Sequence, residues 1–368
     1  MRVVVDINHP AHVHYFKNFI WEMQKQGHSV LVTASEKDLS YKLLDCYNIP
    51  YVKLGCYGTQ IASKAYNIPL LDYRMHNAVK KFKPDIFLGF GSIRASHVSK
   101  LLRKPCIAFD DSEPSPLEHL LYVPFTDVIL TPLCFTKDFG AKHLRFNGYI
   151  ELSYLHKNRF QPNPYVLEEI GEKPSSKFVL MRFVSWNAMH DVGKKGFDNM
   201  AKIEAVRQLE EIMPVYISSE GDLPPELESN RIKISPEKIH DILYYAHAFV
   251  GDSQTMTTEA ALLGTPAVRC NTFVGKNDMG NFEELESKYG LIFNYSDPNT
   301  AICKAIELCN TPNLKQEWEK KREQILEDKI DVTAFMVWFI ENYPESFTEM
   351  KEHPEVQYSC APLRGGAL

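Results

Sequence analysis

Gly251-Asp252-Ser253-Gln254-Thr255-Met256-Thr257-Thr258-Glu259-Ala260-Ala261-Leu262-Leu263-Gly264-Thr265-Pro266-Ala267-Val268 is the stretch that decides the fold class. The run Ala248 to Gly251 that leads into it reads as a buried strand. Small hydroxyl residues fill the turn, and a helix begins within them, with Ser253 suited to cap it. Gly264-Thr265-Pro266 then turns the chain into a second strand, Ala267 to Cys270. Strand, helix and strand in this order make a βαβ unit with parallel strands. The first amides of such a helix have no partner inside it. Together with the helix dipole they favour an anion, and a pyrophosphate fits. Glu259 lies one turn inside, where a carboxylate can accept both ribose hydroxyls of a nucleotide. An ordinary strand–helix unit capped by Ser253 remains the plain alternative.

The same rhythm extends outward. Phe178–Phe183, Val215–Ser218 and Ala248–Gly251 read as strands, with helices over Met200–Ile212, Pro236–Ala246 and Phe282–Tyr289. Upstream, Arg2–Asp6, Ser29–Thr33, Tyr51–Leu54, Ile86–Gly89, Cys106–Phe109 and Asp127–Thr131 are strand-like. Phe16–Gln26, Leu39–Tyr47 and Arg94–Leu102 have helical spacing. Gln161-Pro162-Asn163-Pro164 and Glu172-Lys173-Pro174-Ser175-Ser176 interrupt the alternation and read as linker. The expected fold class is therefore α/β, with two Rossmann-like doubly wound domains facing a cleft. The first spans residues 1–150 and the second, which carries the 251–268 segment, spans 176–312. Residues 313–343 are expected to be helical and to pack back on the first domain, and 344–368 to form a loosely ordered tail.

Two further segments carry polar groups to the carboxyl ends of strands, where open α/β sheets hold ligands. Asp6-Ile7-Asn8-His9-Pro10-Ala11-His12-Val13-His14 reads as a turn between the first strand and the first helix. Its three histidines admit a metal, backbone-satisfied side chains, or a general base. The reading adopted makes His12 the base, able to take a proton near its ordinary pKa of about 6.5, with His9 and His14 on the acceptor side. Asp110-Asp111-Ser112-Glu113 supplies Asp111 and Glu113 as further catalytic candidates, and Ser92 joins the acceptor side. In the second domain Arg182 and the amides near Thr255 are candidate supports for a departing diphosphate. No metal or other cofactor is expected.

Composition narrows the function. The chain has 368 residues with 44% hydrophobic and 24% charged, enough for two cores. A net charge of −6 argues against nucleic acid as a partner. No apolar run reaches the roughly 20 residues that span a bilayer, so at most peripheral membrane association is expected, in the cytoplasm. The 8 cysteines show neither CxxC nor zinc spacing and read as reduced thiols. Oligomeric state is left open.

The segment 251–268 resembles the donor-site motif of bacterial non-hydrolysing UDP-N-acetylglucosamine 2-epimerases, matching at Asp252, Ser253, Glu259, Ala260, Gly264 and Pro266, with Gln254 and Thr255 in place of two glycines. Asn281-Phe282-Glu283-Glu284-Leu285-Glu286 is similar to the segment after the donor loop of MurG-type glycosyltransferases, which implies Asn281 as a donor-sugar contact. With Phe87–Ser92, Ala108–Glu113 and Asp127–Pro132, the opening resembles a GT-B-like family, domain of unknown function 354, over residues 1–310. These resemblances imply a GT-B-like architecture and a nucleotide sugar, UDP-linked, as substrate, with Arg182, His190, Ser253, Gln254, Thr255, Glu259 and Asn281 around it. They leave three activities open: transfer to a glycan or lipid-linked acceptor in surface polysaccharide synthesis, epimerisation, and binding without catalysis. Epimerisation needs paired acids on the first domain. Phe90-Gly91-Ser92-Ile93 has no acid where one is expected, and Met181–Asp191 replaces the expected histidine–arginine segment.

Overall fold

The computed structural model describes residues 1–37, 39–56, 61–185, 195–275 and 278–360, with backbone alone for 61–66. The chain forms two compact units: Met1–Arg159 together with the residues from Lys329 onward, and Phe160–Asp328.

The first unit runs β1 (Arg2–Ile7), α1 (Pro10–Lys25), β2 (Ser29–Ser35), α2 (Ser40–Cys46), β3 (Tyr51–Gly55), α3 (Ile61–Val79), β4 (Ile86–Phe90), α4 (Ile93–Leu102), β5 (Cys106–Phe109), α5 (Pro116–Tyr122), β6 (Val128–Pro132), β7 (His143–Phe146) and α6 (Leu152–Leu155). Among the described residues these strands make one parallel sheet in the order β3-β2-β1-β4-β5-β6-β7. Helices cover both faces of a parallel sheet, so its strands need no polar alternation. Val3, Val4, Val5 and Ile7 are accordingly all fully buried, and each such side chain contributes about 1.5–3 kcal/mol. Strand order reverses between β1 and β4.

The second unit runs β8 (Val179–Phe183), α7 (Asn199–Glu210), β9 (Val215–Ser219), α8 (Ile239–Tyr245), β10 (Ala248–Gly251), α9 (Gln254–Leu263), β11 (Ala267–Cys270), α10 (Gly280–Ser287), β12 (Ile292–Tyr295), α11 (Pro298–Asn310) and α12 (Leu314–Asp328). Its parallel sheet has the order β12-β11-β10-β8-β9, and the reversal falls between β8 and β10. Gly251 is required at that reversal: a Cβ there would lie 2.5 Å from the Arg182 carbonyl oxygen on β8.

The structure adds α5, α6, α11, β7 and β12 to the elements expected from the sequence and departs from those expectations more instructively elsewhere. Helix α1 starts at Pro10, because the His9 ring accepts the Ala11 amide and Pro10 fits the first helical position; His12 and His14 are therefore helical residues. Helix α3 is an additional element, and Leu71, Met75 and Val79 bury its inner stripe against Val4, Phe87 and Val98. The stretch from 313 is two helices in different units. Helix α12 stays in the second unit, where Trp318 Nε1 donates to Leu291 O at 2.8 Å. The chain returns to the first unit only at Lys329, and Asp331 caps α13 (Val332–Glu341) by accepting the Ala334 amide. Beyond Pro344 the chain is ordered as α14 (Glu345–Glu352) and a short 3-10 turn, with Ser346 bonded to Phe339 O and Gln357 accepting the Asn147 amide.

Candidate functional site

At the reversal of the second sheet, α9 begins directly after Gly251-Asp252-Ser253. Asp252 is buried; its Oδ1 accepts the Val184 amide at 2.9 Å, and its carbonyl accepts Asn271 Nδ2 at 3.1 Å. These bonds tie the ends of β8, β10 and β11 together. Ser253 caps α9 by accepting the Met256 amide at 3.3 Å. The amides of Gln254 and Thr255 come first in the helix and have no acceptor within it. Gln254 Nε2 is buried without a partner.

Glu259 is buried, and His240 Nε2 on α8 donates to its Oε1 at 2.8 Å. Asn281, in the first turn of α10, is buried and donates to Thr258 Oγ1 at 3.3 Å. Ser253, Gln254, Thr255, Glu259 and Asn281 thus gather on and beside α9. Arg182 extends from β8 toward β9, where it donates to Ser218 Oγ and Glu220 Oε1, both at 2.6 Å, while its Nε is buried without a partner. His190 lies outside the described residues.

Sequence reasoning passed over Arg269. On β11 it is fully buried, stacked 3.5 Å over the Phe282 ring and paired with Asp278. Its Nε and Nη1 have no partner, and burial lowers its pKa to about 10 against the opposing pull of Asp278. An arginine inside the apolar strand Ala267-Val268-Arg269-Cys270 was the available signal, since such strands are otherwise uniformly apolar.

In the first unit, Ser92 caps α4 by accepting the Ala95 amide and donates to Asp6 Oδ2. Asp6 also accepts Thr33 Oγ1 at 2.6 Å and Arg94 Nε at 2.9 Å, and Arg94 Nη2 donates to Ile7 O at 3.0 Å. Ser92 is thereby committed to a buried network. His9 is committed as the α1 cap. His14 is buried, bonded to Tyr47 and stacked 5.3 Å from Tyr154.

His12 is buried against Phe90, with ring centroids 4.9 Å apart, and its Nδ1 accepts the Asn8 amide at 3.3 Å. Burial, then the charges of Lys37 and Arg94, push its pKa down to about 3. The ordinary imidazole pKa expected from the sequence does not hold, because a buried ring facing two cations resists a proton. With Nδ1 occupied as an acceptor, its Nε2 carries the hydrogen.

The loop after β5 behaves in the opposite sense. Asp110 is buried and accepts His119 Nε2, Tyr122 Oη and the Ser112 amide. Glu113 accepts the Thr136 amide. Asp111 lies between them, and its pKa is pushed up to about 8 by burial, then by Asp110 and Glu113. Carboxylates crowded in a poorly solvated loop cannot all ionise. Among the described residues no group of three or more His, Cys, Asp or Glu could hold a metal ion. No helix among them is long and apolar enough to cross a membrane.

The whole chain is similar in fold to a putative UDP-N-acetylglucosamine 2-epimerase from Listeria monocytogenes, at 15% identity over 94% of this chain and 97% of that one, TM-score 0.65. It is likewise similar to the UDP-GlcNAc 2-epimerase of Neisseria meningitidis bound to UDP-GlcNAc, at 14% identity over 89% and 99%, TM-score 0.63. The spinosyn rhamnosyltransferase SpnG, solved with spinosyn aglycone, matches at 14% identity over 93% and 100%, TM-score 0.61. Two Rossmann-like units of GT-B type are therefore the fold. In sequence, the chain is 24% identical over 279 residues to uncharacterized protein MJ0665 of Methanocaldococcus jannaschii, covering 73% of this chain and 81% of that protein. A family model matches residues 1–339, nearly the whole of the described chain, and by that match the protein belongs to the family described as protein of unknown function DUF354.

Proposed function

We propose that the protein is a glycosyltransferase that holds a nucleoside-diphosphate sugar, UDP-linked, on its second unit. It passes the sugar to a hydroxyl of a glycan or lipid-linked acceptor held on the first unit, in polysaccharide synthesis in the cytoplasm. What supports this reading is Asp111, a half-buried carboxylate crowded by Asp110 and Glu113 in the loop after β5, which pushes its pKa up to about 8, toward the range of a base working near neutral pH. Asp111 takes the proton of the acceptor hydroxyl, and the oxygen forms the new bond to the anomeric carbon. The bond from that carbon to the diphosphate breaks, and the diphosphate leaves with the electron pair. The amides of Gln254 and Thr255, the dipole of α9 and Arg182 stabilise the departing charge without a metal. Glu259 holds the ribose and Asn281 the sugar. His12, neutral and carrying hydrogen on Nε2, donates to the acceptor. The nucleotide-sugar substrate is supported by the UDP-GlcNAc bound in the Neisseria relative of the fold.

Epimerisation is the second reading, and the acid cluster Asp110, Asp111 and Glu113 favours it. Against it, the end of β4 offers Ser92, already bonded to Asp6, where a second acid is needed. Purified protein incubated with UDP-, GDP- and CMP-sugars separates these. Nucleotide release that requires an acceptor supports transfer. Inverted sugar stereochemistry without an acceptor supports epimerisation, and saturable binding with neither overturns both.

A further inference from the structure

The second unit has a cavity of about 380 Å³ at the edge of its sheet opposite to α9's N-terminus. It is lined by the Pro174–Lys177 segment leading to β8, by Tyr244, Tyr245 and His247 before β10, and by the start of α12. Lys315 and Arg322 lie seven residues apart on α12, hence on one face. Lys315 Nζ donates to Tyr244 O at 2.6 Å and to Thr265 Oγ1 at 3.0 Å, which leaves one of its three hydrogens. Arg322 spends Nε on Leu262 O at 2.9 Å, which leaves the outer edge of its guanidinium. Glu319 also lines the cavity and attracts both cations. His247 is 5% exposed and its Nε2 is buried with no partner. The amides of Leu314, Lys315 and Gln316 open α12, a helix of 15 residues, and have no acceptor within it.

We propose that this cavity is a second anion site, for the phosphate dianion of a small phosphorylated ligand, held by Lys177, Lys315, Arg322, His247 and the first amides of α12. A tetrahedral dianion matches what the cavity offers, namely several converging donors and three cationic side chains, Lys177, Lys315 and Arg322, against the one carboxylate in its lining, Glu319. Burial and then the charge of Arg322 push the Lys315 pKa down to about 7, and burial and then Lys177 and Lys315 push His247 down to about 4. For Lys315 the shift reports a cation crowded by Arg322 and only partly offset by Glu319, which a bound anion relieves, while His247 enters as a neutral ring able to donate a hydrogen bond. The volume exceeds that of one phosphate and leaves room for an organic portion. Open α/β sheets run their chemistry at the carboxyl ends of strands, so a ligand at this opposite edge acts as an effector or stabiliser and is independent of the transferase reading.

Titration of the full chain with inorganic phosphate at constant ionic strength, followed by calorimetry and thermal shift with chloride as control, tests this. A sugar 1-phosphate arm separates free phosphate from a phosphorylated metabolite. Saturable phosphate binding is expected, weakened at least tenfold by Lys315→Gln and by Arg322→Gln and unchanged by Glu259→Ala at the other edge. Lys315 and Arg322 also bond the ends of α8 and α9, so Lys177→Gln, at an exposed position, serves as a variant that leaves the fold intact and is expected to weaken phosphate several-fold. Absence of saturable binding, indifference to all three substitutions, or loss of binding in Glu259→Ala overturns the proposal.

Discussion

The two units place a reversal of strand order at equivalent positions and use it in opposite ways. Between β1 and β4 the polar groups close on one another: Asp6 and Arg94 are both fully buried, and Thr33, Ser35, Ser92 and the Ile7 carbonyl complete their bonding. Between β8 and β10 donors remain unspent, namely Arg182 Nε, Gln254 Nε2 and the first amides of α9, with Arg269 Nε and Nη1 on the adjoining strand. Leaving a buried donor unpaired costs roughly 1–3 kcal/mol. The first unit pairs its donors at its reversal and leaves there a single acceptor, Asn8 Oδ1, buried without a partner among the described residues, while the second retains several donors of the kind that the proposed nucleotide diphosphate would satisfy. The same fold position is thus closed by internal pairing in one unit and left with unspent donors in the other, and the base proposed for the first unit, Asp111, sits farther along the sheet, after β5.

Asp111→Asn gives the largest expected effect. Turnover should fall by roughly 10²–10⁴-fold while UDP affinity, located on the other unit, is unchanged. The pH–rate profile of the parent should rise through about 8, because the base works deprotonated. Stability moves in the opposite direction. The folded-state pKa of about 8 lies above the ordinary 3.8, so the folded chain retains a proton that the unfolded chain has lost over that window. Asp111 therefore destabilises increasingly as pH rises from about 4 to 8. Asp111→Asn should raise Tm over the parent at pH 9 and hardly at all at pH 4. A flat profile, or equal Tm at both pH values, would assign the base elsewhere.

Arg94→Met should cost about 3–5 kcal/mol, because it leaves the Asp6 carboxylate buried without its cation. Arg182→Met, removing a partly exposed pair with Glu220, should cost less than about 1 kcal/mol of stability and should weaken UDP binding. Urea unfolding of the two variants side by side checks the contrast. Similar losses would mean that the two reversals are built alike.

Glu259→Ala should weaken UDP by about 1–3 kcal/mol, the range for a lost charged hydrogen-bond partner. Because Glu259 also pairs with His240 inside the unit, calorimetry is to be read against unfolding of the same sample. A stability loss with unchanged affinity would move Glu259 to the self-satisfied kind of group seen around Asp6.

His12→Ala should have the smallest effect, below about tenfold in turnover, since a ring that already resists protonation contributes hydrogen bonding more than proton transfer. A loss of 10²-fold or more with the fold intact would restore His12 as the base.

Periodicity and turn chemistry in the sequence were enough for two parallel sheets with helices between them, for the position of α9, and for Ser253 as its cap. These depend on local rules: burial on both faces makes a parallel strand continuously apolar, and a helix needs a cap wherever it starts. That Ser253, Gln254, Thr255 and Glu259 lie together was legible for the same reason, since all four belong to one turn and its helix, whereas Asn281, offered only by the resemblance to MurG-type transferases, is brought beside Thr258 by the packing of α10 on α9. Tertiary structure alone decided how polar groups pair across long separations. Asp6 meets Arg94, Glu259 meets His240, and Arg269 stacks on Phe282, none of which spacing foretells. It also set the proton affinities of His12 and Asp111. A pKa follows from burial and neighbouring charge, which exist only once Lys37 and Arg94 face the imidazole and Asp110 and Glu113 crowd the carboxylate.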